Sequence, residues 1–224
     1  MEEAYDLYPV YLDCRAKACL VVGGGNVAGR KAQGLLRAGA RVCVVSPEAV
    51  EPIKGLSGVG RLVWAKRPYA AEDLEGVFFV VAASNIKELN QRVAAEARAR
   101  GILVNTAEGA SGGDVFLPVS LAFKNLRVAV SSSGKCPAFA KALADALGTW
   151  LGRGFPLALE VLTALREAHL RSGVGQERFV VEPSLAVTLS ELLAQGCTIE
   201  AQRMLEKAYP QLLHVIPAAL GRAA

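Results

Sequence analysis

The stretch from residue 18 to residue 28 constrains the fold more than any other. Ala18-Cys19-Leu20-Val21-Val22 is a short, uninterrupted apolar run, and it ends in Gly23-Gly24-Gly25-Asn26-Val27-Ala28. A run with no polar alternation is what a strand covered on both faces requires. From Val27 to Arg37 the apolar residues fall on one side of a helix and basic or polar ones on the other, and Gly39 supplies a stop. The glycines therefore sit in a strand-turn-helix unit with the spacing Gly-x-Gly-x-x-Ala. In that spacing the first glycine allows a tight turn, Gly25 lets a pyrophosphate approach the backbone, and Ala28 lets the helix pack closely. Phosphates at such a turn are held by backbone amides and the positive end of the helix dipole, so no basic side chain is needed. The spacing predicts a dinucleotide site at Gly23, Gly24, Gly25, Asn26 and Val27, the alternative being a purely structural glycine turn.

The pattern continues beyond the first unit. Arg41–Val45 is a β-branched run closed by Ser46-Pro47, Arg61–Ala65 and Val77–Ala82 read as further strands, and Ile102–Val104 as a fifth. Glu88–Arg100 is alanine-rich and helical. Strands alternating with helices predict a Rossmann-type, doubly wound parallel sheet. An acidic residue about 20 positions after the glycines ordinarily meets the ribose hydroxyls. Here the second strand ends Val45-Ser46-Pro47-Glu48, so Pro47 and Glu48 are the candidates at the cofactor, with Ser46 the alternative to Glu48 at the ribose, and NAD against NADP stays open.

After Asn105 the character changes. Glu108–Asp114 is a glycine-rich loop, Val115–Leu117 and Leu126–Val130 are candidate strands, and Ser131–Pro137 is a loop whose proline opens a helix to about Trp150. Leu157–Leu170, Leu185–Ala194 and Ile199–Ala208 carry helix-period apolar residues. The expected organisation is a dinucleotide-binding Rossmann domain over 1–112, a small α+β region over 113–150, and a helical C-terminal domain over 151–224.

Composition narrows the function classes. Hydrophobic residues make up 52% and charged residues 21%, which describes a globular chain. No apolar run reaches the roughly 20 residues of a membrane span, and the acidic start is unlike a signal peptide, so a cytoplasmic protein is expected. The net charge of +4 is dispersed, without the basic and aromatic interleaving of a nucleic-acid groove. Five scattered cysteines without Cys-x-x-Cys spacing, and His169 and His214 far from the glycine turn, predict neither a disulfide framework nor a metal site.

Several strings together resemble the siroheme synthase, or precorrin-2 dehydrogenase, family. They are Tyr8-Pro9-Val10-Tyr11-Leu12-Asp13, then Val21-Val22-Gly23-Gly24-Gly25-Asn26-Val27-Ala28-Gly29-Arg30-Lys31. Ala82-Ala83-Ser84-Asn85 resembles the family's Ala-Ala-Thr-Asp, which brings Ser84 to the cofactor. Gly101–Asn105 resembles its final strand, and Val128–Pro137 its Ala-Ile-Ser-x-Gly-Gly-x-Ser-Pro loop. The match covers about residues 6 to 150. It implies an NAD-dependent oxidation of precorrin-2 to sirohydrochlorin by a homodimer paired through the 105-to-150 region.

The resemblance also implies site residues. The family's Asn-Val-Val-Asp string falls on Asn105-Thr106-Ala107-Glu108, in a register that brings Pro118 onto the family's proline. Glu108 therefore stands where the family has its aspartate, and it is the expected general base, one methylene longer. Asp114 in the same loop is a second candidate, and a solvated loop carboxylate is the plain alternative for Glu108. Ser132 matches a family serine near the substrate, although the same string is ordinary turn chemistry. By their charge alone, Lys135, Arg127 and Lys124 are further candidates to meet the substrate's carboxylates, with a solvated surface position as the plain alternative.

Some family members also insert iron into sirohydrochlorin, and a bifunctional enzyme is the nearest alternative. A non-catalytic NAD or tetrapyrrole carrier is the next. The NAD-sensing subunit of an ion channel is disfavoured by Ser46 at the strand end and by the Arg30-Lys31 pair. The roughly 75 residues after Trp150 are too few for the methyltransferase domain of fused siroheme synthases, so a separate methyltransferase is expected to supply the substrate.

Overall fold

The computed structural model describes residues 7–107, 112–152, 154–172 and 178–222. The chain divides into two compact units, one up to Leu117 together with Ser133–Lys135, the other of Pro118–Ser132 and Cys136 onward.

The first unit is a five-stranded parallel sheet of order β3-β2-β1-β4-β5. Its strands are β1 (Ala18–Val22), β2 (Arg41–Val45), β3 (Val63–Ala65), β4 (Phe79–Ala82) and β5 (Leu103–Thr106). The helices between them are α1 (Asn26–Arg37), α2 (Glu51–Gly58) and α3 (Lys87–Ala99). Because successive side chains alternate, β1, β2 and β4 each feed two cores. Val21, Val42, Val44, Phe79 and Val81 pack with Ala28, Ala32 and Leu35 of α1 and Ile53 of α2. Leu20, Val22, Val45, Val80, Ala82 and Val104 pack with Val93, Ala94 and Ala97 of α3. Helices on both faces explain why β1 and β4 carry no polar alternation. The sequence places these elements well, but not α2. Two of its eight residues are the weak helix formers Gly55 and Gly58, and only Ile53 is buried, so no periodic stripe marks it.

In the second unit β6 (Val119–Phe123) and β7 (Leu126–Val130) form an antiparallel ribbon joined by Lys124-Asn125. The expected strand at Val115–Leu117 does not form. The two-residue turn fixes the register so that Val119 pairs with Val130 and Leu121 with Val128. Pro118, without an N–H, stands just before that ladder. Val119, Leu121, Phe123, Leu126, Val128 and Val130 share the ribbon face against α4 (Pro137–Leu151). The remaining helices are α5 (Gly154–Arg171), α6 (Pro183–Ala194), α7 (Thr198–Ala208) and α8 (Ile216–Gly221). Their core holds Val161, Leu165, Leu189, Leu205, Leu212 and Ile216. Gly154 lets α5 approach α6, since a Cβ there would lie 2.1 Å from the Ser190 carbonyl oxygen. No helix among the described residues is long and apolar enough to cross a membrane.

Candidate functional site

The strand order reverses between β1 and β4, because β1 connects outward through β2 and β4 outward through β5. Loops leaving adjacent strands on opposite sides leave a crevice at the carboxyl edge, where open α/β sheets take ligands. Three loops meet there, and the glycines are what let them meet. Gly23 has a φ of 122°, and a Cβ on it would stand 2.4 Å from the Ala83 carbonyl oxygen and 2.8 Å from the Ser84 nitrogen. Gly24 is covered by the loop after β2, its notional Cβ 1.8 Å from the Glu48 carbonyl oxygen and 2.8 Å from Ser46 Oγ. The loop is tied down further by Val50 N–H donating to the Gly24 carbonyl at 2.8 Å and by Trp64 Nε1 donating to the Ser46 carbonyl at 2.9 Å.

Gly25 differs from both. A Cβ there would meet nothing within 4 Å, so the space beside it is open. It is also the N-cap of α1, so no side chain caps the first-turn amides, and that turn holds no acid. Unpartnered amides at the positive end of a helix, facing open space beside a glycine, fit a diphosphate. Asn26 and the half-exposed Val27 begin that turn, Ala28 is fully buried against the sheet, and Pro47 and Glu48 are exposed on the neighbouring loop. These residues would hold the two phosphates and flank the adenosine end of a dinucleotide.

Ser84 is placed beside Gly23, but its polar atoms serve its own turn. Its N–H donates to Asn90 Oδ1 at 3.0 Å, its carbonyl accepts from Asn90 Nδ2 at 3.0 Å, and its hydroxyl accepts from the Ile86 N–H at 3.1 Å. Asn90 is a buried polar residue on α3 that sequence reasoning missed, since its contacts with the Ser84 turn six residues before it leave no apolar periodicity to read.

Glu108 lies outside the described residues. The chain flanking it is well defined. Asn105 is buried, accepts from the Lys31 ammonium through Oδ1, and donates from Nδ2 to the Val115 carbonyl at 2.7 Å. Burial, with the nearby Arg30 charge second, pulls the Lys31 ammonium below the usual lysine range. Asp114, the second acid in this loop, is engaged by Arg98 Nε at 2.8 Å. Thr106 Oγ1 is buried and has no hydrogen-bond partner among the described residues.

In the second unit Ser132 Oγ accepts from the Cys136 N–H at 3.0 Å, at the start of α4. The Arg127 guanidinium donates to the carbonyls of Lys124 and Leu126. Lys124 pairs with Glu160 at 2.7 Å, which occupies its charge. Lys135, in the first unit, is exposed.

The strand order, the switch point and the glycine turn define a dinucleotide-binding α/β protein. Residues 10–119 match the family described as putative NAD(P)-binding. Siroheme synthase 1 of Serratia proteamaculans (strain 568) is 35% identical over 204 residues, 90% of this chain and 43% of that protein. The siroheme synthase of Chromobacterium violaceum is 37% identical over 204 residues, again 90% of this chain and 43% of the relative. A solved structure titled SirC, precorrin-2 dehydrogenase, superposes with a TM-score of 0.71 at 27% identity, over 90% of this chain and 98% of that one. The chain belongs to the family of siroheme synthase N-terminal domains and precorrin-2 dehydrogenases. It spans somewhat under half the length of the siroheme synthases it matches.

Proposed function

We propose that this protein oxidises precorrin-2 to sirohydrochlorin with NAD as the electron acceptor. The observation that carries the reading is the turn that is closed at Gly23 and Gly24 and open at Gly25, in a chain that covers 98% of a precorrin-2 dehydrogenase. When bound, NAD supplies a hydride acceptor. The reaction removes two electrons and two protons' worth of hydrogen from the macrocycle, one hydrogen leaving as hydride and one as a proton. Glu108 takes the proton. Gly23, Gly24, Gly25, Asn26 and Val27 seat the cofactor's phosphates, Pro47 and Glu48 border its ribose, and Ser84 shapes the loop beside it. Ser132, Lys135 and Arg127 meet the carboxylates of the substrate.

The active species is a cytoplasmic homodimer paired through the 113–150 region, between the NAD-binding domain over 1–112 and the helical domain over 151–224. Support for pairing comes from α4, where Phe139 is 63% and Trp150 62% exposed. Large aromatic side chains left in solvent on one helix mark a surface that a partner covers.

The test is anaerobic turnover of precorrin-2 with NAD, followed by NADH absorbance and the sirohydrochlorin spectrum. Glu108→Gln is expected to lower kcat by about 100-fold or more, because a positioned base contributes that much. Wild-type protein that binds NAD and the macrocycle without forming NADH would make it a carrier, and the reading would fall.

A further inference from the structure

Beyond β5, Asp114 and Val115 are bonded back onto the strand itself. The N–H groups of Asp114 and Val115 both donate to the Val104 carbonyl, at 2.8 and 3.0 Å. This foot is therefore closed on β5, and two side-chain systems brace it. Arg98 holds the outer side through the Asp114 carboxylate and the Gly112 carbonyl. The inner side is held by a relay from α1, in which Lys31 donates to Asn105 Oδ1 and Asn105 Nδ2 donates to the Val115 carbonyl.

That relay has a directional logic. An ammonium donates and never accepts, so it obliges the Asn105 amide to turn its oxygen toward α1. The amide nitrogen is then the atom left to face Val115. A neutral side chain that both donates and accepts would allow the reverse orientation, which sets Asn105 oxygen against the Val115 carbonyl and breaks the foot. Lys31 achieves this at a cost, since it is half-buried and no carboxylate pairs with it among the described residues. A desolvated cation placed on a neutral amide is poor stability design, and it points to a requirement for orientation.

We propose that Lys31 is a positioning residue for the dehydrogenation: by fixing the Asn105 amide it locks Val115, and so anchors both Asn105 and Val115, the described residues on either side of Glu108. The proposal rests on the reading that Glu108 takes the proton. Lys31 touches neither cofactor nor substrate in this role; it acts through Asn105.

The experiment uses the full chain with Lys31→Met and Asn105→Asp. Hydrogen exchange is the readout that does not depend on activity. In both variants the Asp114 and Val115 amides are expected to exchange about tenfold or more faster, while β1 and β4 amides keep their protection. Asn105→Asp keeps a partner for Lys31 but removes the donor to Val115, so it tests the second link should Lys31→Met fold poorly. In turnover, Lys31→Met is expected to lose roughly 10- to 100-fold in kcat, with KM for NAD within about twofold. Combined with Glu108→Gln, it is expected to add little to the loss of Glu108→Gln alone, because the two act as one unit. Unchanged exchange at Asp114 and Val115 in both variants overturns the proposal, as does a rise in KM for NAD with kcat intact. If Glu108→Gln is fully active while exchange responds as expected, the role of Glu108 is wrong and the anchoring of Asn105 and Val115 by Lys31 stands.

Discussion

Gly24 and Gly25 are neighbours with opposite surroundings, and replacing each by alanine separates folding from binding. In Gly24→Ala the new Cβ falls 1.8 Å from the Glu48 carbonyl oxygen. Real carbon-oxygen contacts do not go below about 3 Å, so one backbone must move by more than about 1 Å. The obstacle is main chain held by the hydrogen bonds of Val50 and Trp64, so it does not swing aside as a flexible side chain would. Overpacking of this kind costs about 1–3 kcal/mol, which for a chain of this size lowers Tm by roughly 3–10 °C. In Gly25→Ala nothing is struck, and the backbone φ of −82° suits any residue. An alanine N-cap loses about 0.5–1 kcal/mol relative to glycine, and the lost freedom of the unfolded chain returns about as much. Stability is thus expected to stay within about 1 kcal/mol, while the Cβ fills the space proposed for the diphosphate. NAD affinity is expected to fall at least about tenfold, equal to about 1.4 kcal/mol. Thermal unfolding of both variants and calorimetric titration with NAD make the comparison. A Gly25→Ala protein that binds NAD as tightly as wild type refutes the placement of the diphosphate. A Gly24→Ala protein of unchanged Tm refutes the steric argument.

Three further outcomes are expected. Asn90→Ala strips both the N–H and the carbonyl of Ser84 of their partner, so stability should fall by about 1–3 kcal/mol by denaturant titration, and NAD affinity should fall with it as the loop beside Gly23 loosens. The Arg67 guanidinium, aided by the Ala70 N–H, holds the Asp73 carboxyl below its usual range. A lowered folded-state value gives stability that is full above the unfolded value near 4 and is lost as pH falls through the folded one. Since Arg67 is half-exposed, the contribution is on the order of 1 kcal/mol, and the Tm gap between wild type and Arg67→Met should shrink as pH is lowered from about 6 to about 3; a constant gap contradicts it. Phe139→Lys with Trp150→Lys on the exposed side of α4 should convert a dimer to monomers in analytical ultracentrifugation without lowering Tm beyond the loss of association, and a dimer that persists moves the interface elsewhere.

The sheet was legible because it is built from local signals. An apolar run bounded by glycine or proline marks each buried strand, and a one-sided apolar stripe marks α1 and α3. Where those signals are weak the sequence misleads. Val115-Phe116-Leu117 has strand composition, yet the partner that settles the matter is Leu126–Val130, and the register of Val119–Phe123 against it is a property of the hairpin. The eight residues of α2 bury one side chain, too little for a stripe.

The sequence by itself determined the chemistry of the cofactor turn, because glycine spacing between a strand and a helix encodes a backbone shape within eleven residues. Only the tertiary structure decided which glycine is closed and which is open, since that depends on loops from β2 and β4 that lie more than 20 and 55 residues away. It alone revealed that Ser84 is spoken for by Asn90 and that Lys31 reaches Asn105 across 74 residues. Hydrogen bonds between polar side chains, near or distant in the chain, leave no periodic trace in a sequence. They are fixed by how helices and strands pack, and at this site they decide which polar groups are committed to the fold and which remain for a ligand.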